Sequence, residues 1–513
     1  MNRFLLLIIL IPNFIFSQNQ TVGLFQYSNE SVDGYTLFSP NEFTYLIDNC
    51  GRLIHSWESQ YMSGKSVYLL ENGDLLRTCQ LSSSIFSGGG IGGRVEKFDW
   101  NNNLLWSYNF SDNNYHQHHD IEFMPNGNIL ILCWERKLLI ETILAGRDPS
   151  NLVDNELWPT YIMEIEPQGN NNINIVWEWR LWDHLVQDFD PSKLNYGTIA
   201  NHPERLDINF FGNNSKKDWL HCNSIDYNEE LDQIVIGSRK LSEIYIIDHS
   251  TTTSQAASNS GGIYGKGGDF LYRWGNPMAY DNGSLSTKKL FGQHDVQWIS
   301  EGLKDAGKLI IFNNGQNRGY SSIDIIDPPV NSNNNYFLNN NTFGPDSAEW
   351  IYTAPVPTDF YSSFISGVQR LPNGNTLICD GAYGNFFEID STETIVWQYI
   401  NPISSNGPLT QGVSIPLLNN GNGTINSTFR CERYLPTFSA FTGKDMTPGN
   451  FLELNPLSSN CNMTNVNQIN MFNPQKELLY ITDILGRKTN IKFNKLLIFL
   501  YSDGTIEKRF LKR

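Results

Sequence analysis

The sequence predicts an all-β protein: a six-bladed β-propeller with a small β-sandwich-like module appended at the C-terminus. Three observations predict it. A strand-like run ending in a carboxylate, then a turn, then a run carrying tryptophan, recurs six times. A second, more apolar run with a polar lead precedes five of those six units. The two ends complement each other, because the first unit has no such run ahead of it and residues 428–434 have no unit after them. Two strand types alternating in order describe a ring of small antiparallel sheets rather than a β-sandwich. Pairing the ends would close the ring and leave no exposed sheet edge.

In chain order, Met1-Asn2-Arg3 followed by the apolar run 4–16 reads as a secretory signal cleaved after Ser17. That run is too short for a transmembrane anchor, and no later stretch is long enough. Residues 1–17 are therefore assigned to export, 18–455 to the propeller and 456–513 to the C-terminal module. The mature protein is expected outside the cell, secreted or at its surface, with no integral membrane segment once the signal is removed. The six outer units are residues 45–48 to Trp57, 95–99 to Trp106, 162–166 to Trp177, 245–248 to Trp274, 324–327 to Trp350 and 387–390 to Trp397. Extra length at 138–159 and 183–218 is expected to form a rim or lid above the channel. Beyond about residue 460 the period stops, and 476–480, 483–487 and 497–501 describe a separate β-unit with a basic end.

Composition narrows the partners. A net charge of −17 weighs against nucleic acid and anionic membrane surfaces. An acidic protein that handles an anionic substrate needs a local cationic pocket, which few positions here supply. With 13% aromatic and only 17% charged residues, the chain suits strands joined by many turns. The seven cysteines form no CxxC pair and no finger spacing. Cys79, Cys133 and Cys379 each end an inner run and read as small apolar core residues. Cys431 and Cys461 form a candidate disulfide, and the odd count leaves at least one thiol without an intramolecular partner.

The polar leads carry the chemistry. They are His118-His119-Asp120-Ile121, His221-Cys222-Asn223-Ser224-Ile225 and Gln293-His294-Asp295-Val296, with Lys65-Ser66-Val67 and Ser366-Gly367-Val368 in the same frame. If the five β-branched residues are equivalent, the slot two positions earlier holds Lys65, His119, Asn223, His294 and Ser366. Inner strands line a propeller's channel, so these slots converge at one mouth. His221 shares a strand face with Asn223, and Arg239, just after 234–238, can reach the same mouth. Three histidines invite a zinc reading, but HxN and lone HD dipeptides lack a metal signature, so no metal and no cofactor is assigned. An arginine among imidazoles and an amide suits an oxyanion, with one histidine as nucleophile and its neighbours handling the proton. The bland alternative is a set of polar residues lining a solvated channel.

Asp218-Trp219-Leu220-His221-Cys222-Asn223-Ser224-Ile225-Asp226-Tyr227 with Ile236-Gly237-Ser238-Arg239 resembles the arylsulfotransferase (aryl-sulfate sulfotransferase) family. So do Gly292-Gln293-His294-Asp295-Val296 with Phe312-Asn313-Asn314-Gly315, and residues 371–377. The resemblance spans roughly residues 30–455. It implies a six-bladed propeller that moves a sulfuryl group from an aryl sulfate donor to a phenolic acceptor, without a soluble nucleotide donor, through a ping-pong sulfohistidine intermediate. By motif position it implies His294 as nucleophile and Arg239 as sulfuryl ligand, with His221 and Asn223 at the leaving oxygen. His119 or His118 supplies the remaining imidazole, and the slot alignment favours His119. Ser366 is added as a substrate-binding candidate from its slot. The family's N-terminal dimerisation domain and close cysteine pair have no match here. The last fifty residues resemble the C-terminal sorting domain of the type IX secretion system, which implies secretion machinery as a partner. Two other readings stay open: a non-catalytic surface-binding or adhesion propeller, and an aryl-sulfate hydrolase.

Overall fold

The computed structural model describes residues 19–210, 216–332, 335–339, 341–457, 461, 478–482, 487–489, 495–501 and 506–511. The expected signal, 1–17, and much of the segment 456–513 lie outside the described residues. Among those described, six antiparallel sheets form the blades of a propeller. Blade 1 holds Tyr35–Phe38, Phe43–Asp48 and Leu53–Glu58, and its innermost strand is Cys431–Tyr434 from the far end of the chain. Blade 2 runs Ser63–Leu69, Leu75–Gln80, Gly93–Phe98 and Leu104–Asn109. Blade 3 runs Tyr115–Phe123, Ile129–Glu135, Thr160–Gln168 and Asn172–Arg180. Blade 4 runs Cys222–Asn228, Gln233–Ser238, Glu243–Asp248 and Tyr272–Trp274. Blade 5 runs His294–Trp298, Leu309–Asn313, Ser322–Ile326 and Trp350–Tyr352. Blade 6 runs Gly367–Arg370, Thr376–Asp380, Asn385–Ile389 and Ile395–Ile400.

The sequence pattern follows from the packing. Each blade is covered on both faces by its neighbours, so the second strands of blades 4, 5 and 6 are buried along their whole length. Such strands need near-continuous Ile, Leu and Val rather than alternation. Burying each of these side chains contributes about 1.5–3 kcal/mol. The recurring tryptophan has a specific task. Each outer-strand indole N–H donates to the next blade: Trp57 to Asp99 O at 3.0 Å, Trp106 to Asn172 O at 3.0 Å and Trp177 to Thr251 Oγ1 at 3.1 Å. Trp274 reaches Pro345 O at 2.8 Å, Trp350 reaches Glu393 Oε1 at 3.2 Å, and Trp397 returns to Asn49 O at 2.8 Å. The six indoles staple the ring once around, each joining apolar bulk to one directed hydrogen bond.

A second ring of bonds runs around the channel. Leu69 N donates to Tyr434 Oη, Tyr68 Oη to Asp120 Oδ1, Ile225 N to Asp120 Oδ2 and Val296 N to Ser224 Oγ. Val368 N donates to Asp295 Oδ2 and Arg433 N to Gln369 Oε1, which completes the circuit. The chain ends close the propeller as the sequence suggests, with Thr36 opposite Arg433 and Leu37 opposite Glu432. A second closure was not foreseen: Gly23–Tyr27 adds a fifth strand to blade 6, with Tyr27 opposite Trp397.

One cysteine expectation is corrected. Cys461 is bonded to Cys50, and Cys431 is a buried free thiol. Cys431 begins the closing strand of blade 1, where its side chain packs in the apolar core beside Cys379 and Phe38. In the C-terminal module, Leu478–Thr482, Lys495–Tyr501 and Ile506–Leu511 form one three-stranded antiparallel sheet. Among the described residues there is no second sheet to make a sandwich of it. No helix among them is long and apolar enough to cross a membrane.

Candidate active site

Four inner strands are irregular at their entry, and this is what builds the site. The pairing register slips between Ser63 and Val67, between Gln117 and Ile121, between Cys222 and Ser224, and between His294 and Gln297. Left-handed backbone accompanies the slips, at Lys65 (φ 126), His119 (φ 54), His221 (φ 52) and Asp295 (φ 52), and also at Ser366 (φ 92). Non-glycine residues adopt such angles at a cost of roughly 1–3 kcal/mol, which is met where surrounding structure dictates the geometry. A bulge takes a residue off the ladder and re-aims its side chain. Here the re-aimed residues collect at one mouth. The long insertions stand at the same end, because Trp134 and Glu135, just before the first of them, pair with His116 and Tyr115.

His294 is buried, and Asn314 sets its tautomer. The Asn314 amide nitrogen donates to Ser362 O at 2.8 Å and Ile365 O at 2.9 Å, which leaves its oxygen facing His294 Nδ1 at 2.7 Å. An oxygen at that position requires a proton on Nδ1 and leaves the lone pair on Nε2. The Ile365 N–H points at Nε2 from 3.2 Å. Burial, and after it the Arg239 charge, holds the His294 pKa well below the usual histidine value, so the ring is neutral near pH 7.

His221 is oriented from behind. Its Nδ1 bonds Asp218 Oδ2, while Asp218 Oδ1 accepts from Trp134 Nε1 at 2.9 Å and Lys240 Nζ lies 3.6 Å from Oδ2. Burial alone would raise the Asp218 pKa, but His221 and Lys240 outweigh it and keep the carboxyl ionised. Burial lowers the His221 pKa, Asp218 opposes this, and Arg239 and Lys240 add to it. The result is a neutral imidazole with its proton on Nδ1 and a bare Nε2.

The two adjacent histidines separate in role. The His119 ring stands 4.6 Å from that of His221, edge to face, whereas His118 stacks on Trp134 at 4.3 Å. Their Nδ1 atoms are 2.9 Å apart, so one donates to the other. Burial pushes His118 down to about 3, and burial with neighbouring charge keeps His119 well below normal. Asn223 is buried, with Nδ2 donating to Gln293 O at 2.8 Å. Ser366 does not join the group. Its hydroxyl donates to Ser362 Oγ at 2.8 Å, in the connection from blade 5, and accepts from Gly381 N at 3.0 Å.

The cations divide by whether their charge is answered. Arg430 lies between Asp120 and Asp295, and its Nη1 also donates to Tyr68 Oη at 3.3 Å. The Arg239 guanidinium has no ion pair or hydrogen bond among the described residues, and its Nε is buried without a partner. It lies near enough to lower the pKa of both His294 and His221. A guanidinium without an ion pair beside neutral imidazoles has the donors and charge that an oxyanion would need. Among the described residues, no three His, Cys, Asp or Glu side chains are grouped as metal ligands.

Several contributors escaped the sequence. Asp218 and Asn314 lie inside the motifs quoted above but had no role there, and Trp134 lies in none; all three act through other residues, which only the three-dimensional contacts show. The Gly88-Gly89-Gly90 run packs against two of the imidazoles. Gly90 (φ 76) packs so closely that a Cβ there would lie 2.0 Å from His119 Nε2, and one on Gly89 would lie 3.5 Å from His221 Cε1. His119 N also donates to Gly90 O at 2.7 Å, so the glycine loop roofs both rings.

A family model described as "Arylsulfotransferase (ASST)" matches residues 17–410. The match stops before the closing strand of blade 1 and the C-terminal module. No curated protein matches. Among solved structures, a protein of unknown function from Bacteroides caccae is similar at 11% identity and a TM-score of 0.39, over 72% of this chain and 94% of that one. Virginiamycin B lyase from Staphylococcus aureus is similar at 10% identity and a TM-score of 0.34, over 75% and 90%. Hydrazine synthase from Kuenenia stuttgartiensis follows at 13% identity and 0.33, over 58% and 69%.

Proposed function

Because this chain belongs to the arylsulfotransferase family, we propose that it is a nucleotide-independent aryl-sulfate sulfotransferase working through a sulfohistidine on His294. One observation carries the reading. His294 holds a neutral Nε2 lone pair, fixed by Asn314, beside the unanswered Arg239 guanidinium. In the first half-reaction Nε2 gives up the hydrogen bond from Ile365 N–H and attacks the sulfur of the aryl sulfate, the bond from sulfur to the aryl oxygen breaks, and the electron pair leaves with the phenolate. Arg239 holds the sulfuryl oxygens, whose charge redistributes during transfer. The second N–H of Asn223 and the His119 ring serve the departing oxygen.

The second half-reaction reverses the path. An acceptor phenol enters where the first phenolate left, His221 Nε2 takes its proton, the phenolate oxygen attacks sulfur, and the N–S bond breaks to restore His294. Run backwards, the same His221 protonates a poor leaving group. Asp218 keeps the His221 proton on Nδ1 so that Nε2 is free for this task.

The reading includes location. The segment 1–17 acts as an export signal, and the C-terminal module acts as a type IX sorting signal removed at the cell surface. The test for turnover is release of 4-nitrophenol from its sulfate by purified protein, with and without added phenol. Phenol-dependent release with formation of phenyl sulfate supports the transferase. Release that ignores phenol makes the protein a hydrolase, and no release with any aryl sulfate leaves it a binding propeller.

A further inference from the structure

A cavity opens beside the imidazoles where blades 1, 2 and 6 meet, and its wall includes Pro40, Met62, Lys65, Phe364, Ile365 and Phe429. It adjoins the reacting group, since Ile365 N–H bonds His294 Nε2 and the Phe429 ring lies 6.1 Å from His119. The full lining is mixed, seven apolar and seven polar residues, and within it Phe364 and Phe429 offer faces to an aromatic ring. Lys65 is the one charged residue among those lining it. It occupies the blade 2 slot at φ 126, held there by the slip between Ser63 and Val67.

Its ammonium is half-buried and has no ion pair or side-chain hydrogen bond among the described residues. Burial lowers its pKa and no carboxylate opposes that. Arg430, by contrast, is answered by two carboxylates. The two cations without ion pairs act on different imidazoles. Arg239 is felt by His294 and His221, whereas Lys65 is felt by His119. One sulfuryl group needs one of them, and a half-buried lysine without a counter-charge gains by meeting an anion.

We propose that the cavity selects aryl substrates whose ring bears a carboxylate-containing substituent, in addition to the oxygen that gives or receives the sulfuryl group, and that Lys65 binds that carboxylate. The inference rests on the sulfotransfer reading for which group reacts. In a protein of net charge −17, a local cation is what lets a doubly anionic donor approach.

The test uses (4-hydroxyphenyl)acetate and its methyl ester as acceptors, a pair that differs in charge while the methylene keeps phenol acidity similar. Wild-type protein should show the higher kcat/KM for the acid. In Lys65→Met the acid-to-ester ratio should fall about tenfold to a hundredfold, the range for a hydrogen bond to a charged group, and Lys65→Arg should keep most of it. Calorimetric titration with each compound gives the same comparison without turnover. Binding of the acid through Lys65 with no transfer would sink the sulfotransfer reading and leave this one standing. An unchanged ratio in Lys65→Met, at an unchanged thermal midpoint, overturns the proposal. An equal fall for both acceptors also overturns it, because Lys65 would then serve the sulfuryl group.

Discussion

Replacing Asp218 by asparagine isolates the proton chemistry assigned to His221. Asp218 Oδ1 accepts from Trp134 Nε1 at 2.9 Å, so an asparagine keeps its oxygen there and turns its amide nitrogen toward His221 Nδ1. An N–H facing Nδ1 makes that atom an acceptor and moves the imidazole proton to Nε2. The general base is then lost while the ring stays in place. Loss of a positioned base slows proton-coupled transfer roughly 10²–10⁴-fold. Removal of the ionic hydrogen bond also lowers stability by about 1.5–3 kcal/mol, and Lys240 loses the charge 3.6 Å away. The assay separates the half-reactions. Stopped-flow release of 4-nitrophenol without acceptor reports sulfuryl transfer to the enzyme, and decay of the adduct on adding phenol reports transfer away from it. Because 4-nitrophenolate leaves without a proton, the burst should survive in Asp218→Asn while the second step slows. Wild-type transfer should also rise with pH through the lowered pKa of His221, a limb the variant loses. A second step of wild-type rate, or a burst slowed as much as the second step, would refute this reasoning.

Gly90→Ala should lower stability and activity together. Its Cβ would lie 2.0 Å from His119 Nε2, whereas Gly127, also left-handed at φ 89, has nothing within 4 Å. The difference in unfolding free energy between Gly90→Ala and Gly127→Ala should be about 1–3 kcal/mol of overpacking, and equal effects would contradict the contact. His249 makes stability depend on pH. Burial lowers its pKa, but hydrogen bonds and charge from Asp232 (2.6 Å) and Glu164 (3.0 Å) outweigh this and raise it to about 9. A pKa raised above the unfolded value contributes stability fully present below about pH 6.5 and lost as pH rises through about 9. His249→Gln should therefore be less stable than wild type by about 2–3 kcal/mol near pH 6 and equal to it above pH 9–10. A difference that persists at high pH would contradict the ion pairing. Protein recovered from the cell surface should lack residues 1–17 and the segment after about Cys461, and mass-spectrometric recovery of Lys512-Arg513 would count against the sorting signal.

The blades were legible because their repeat has a mechanical cause. Each tryptophan that marked a unit proves to be an indole staple to the next blade. The strand from 431 to 434 announced itself by having no unit after it. The outer closure by Gly23–Tyr27 did not, since an edge strand on blade 6 carries no distinguishing residue. At the site, the slot frame brought His119, Asn223 and His294 to one mouth because propeller geometry gathers equivalent positions. Ser366 stands in the same frame next to Ile365, with its hydroxyl bonded to Ser362 and Gly381. The frame could not reveal Asn314 or Asp218, because tautomer control depends on which atoms meet in three dimensions. The Cys50 to Cys461 bond was hidden for the same reason, joining positions 411 residues apart.

The identity of the sulfuryl carrier is the claim on which the mechanism depends. Protein incubated with an aryl sulfate and no acceptor, then digested and sequenced by mass spectrometry, should carry one sulfuryl group on the peptide containing His294. His294→Ala should carry none and turn over no substrate. A sulfuryl group on any other residue, or labelling that persists in His294→Ala, would contradict the account.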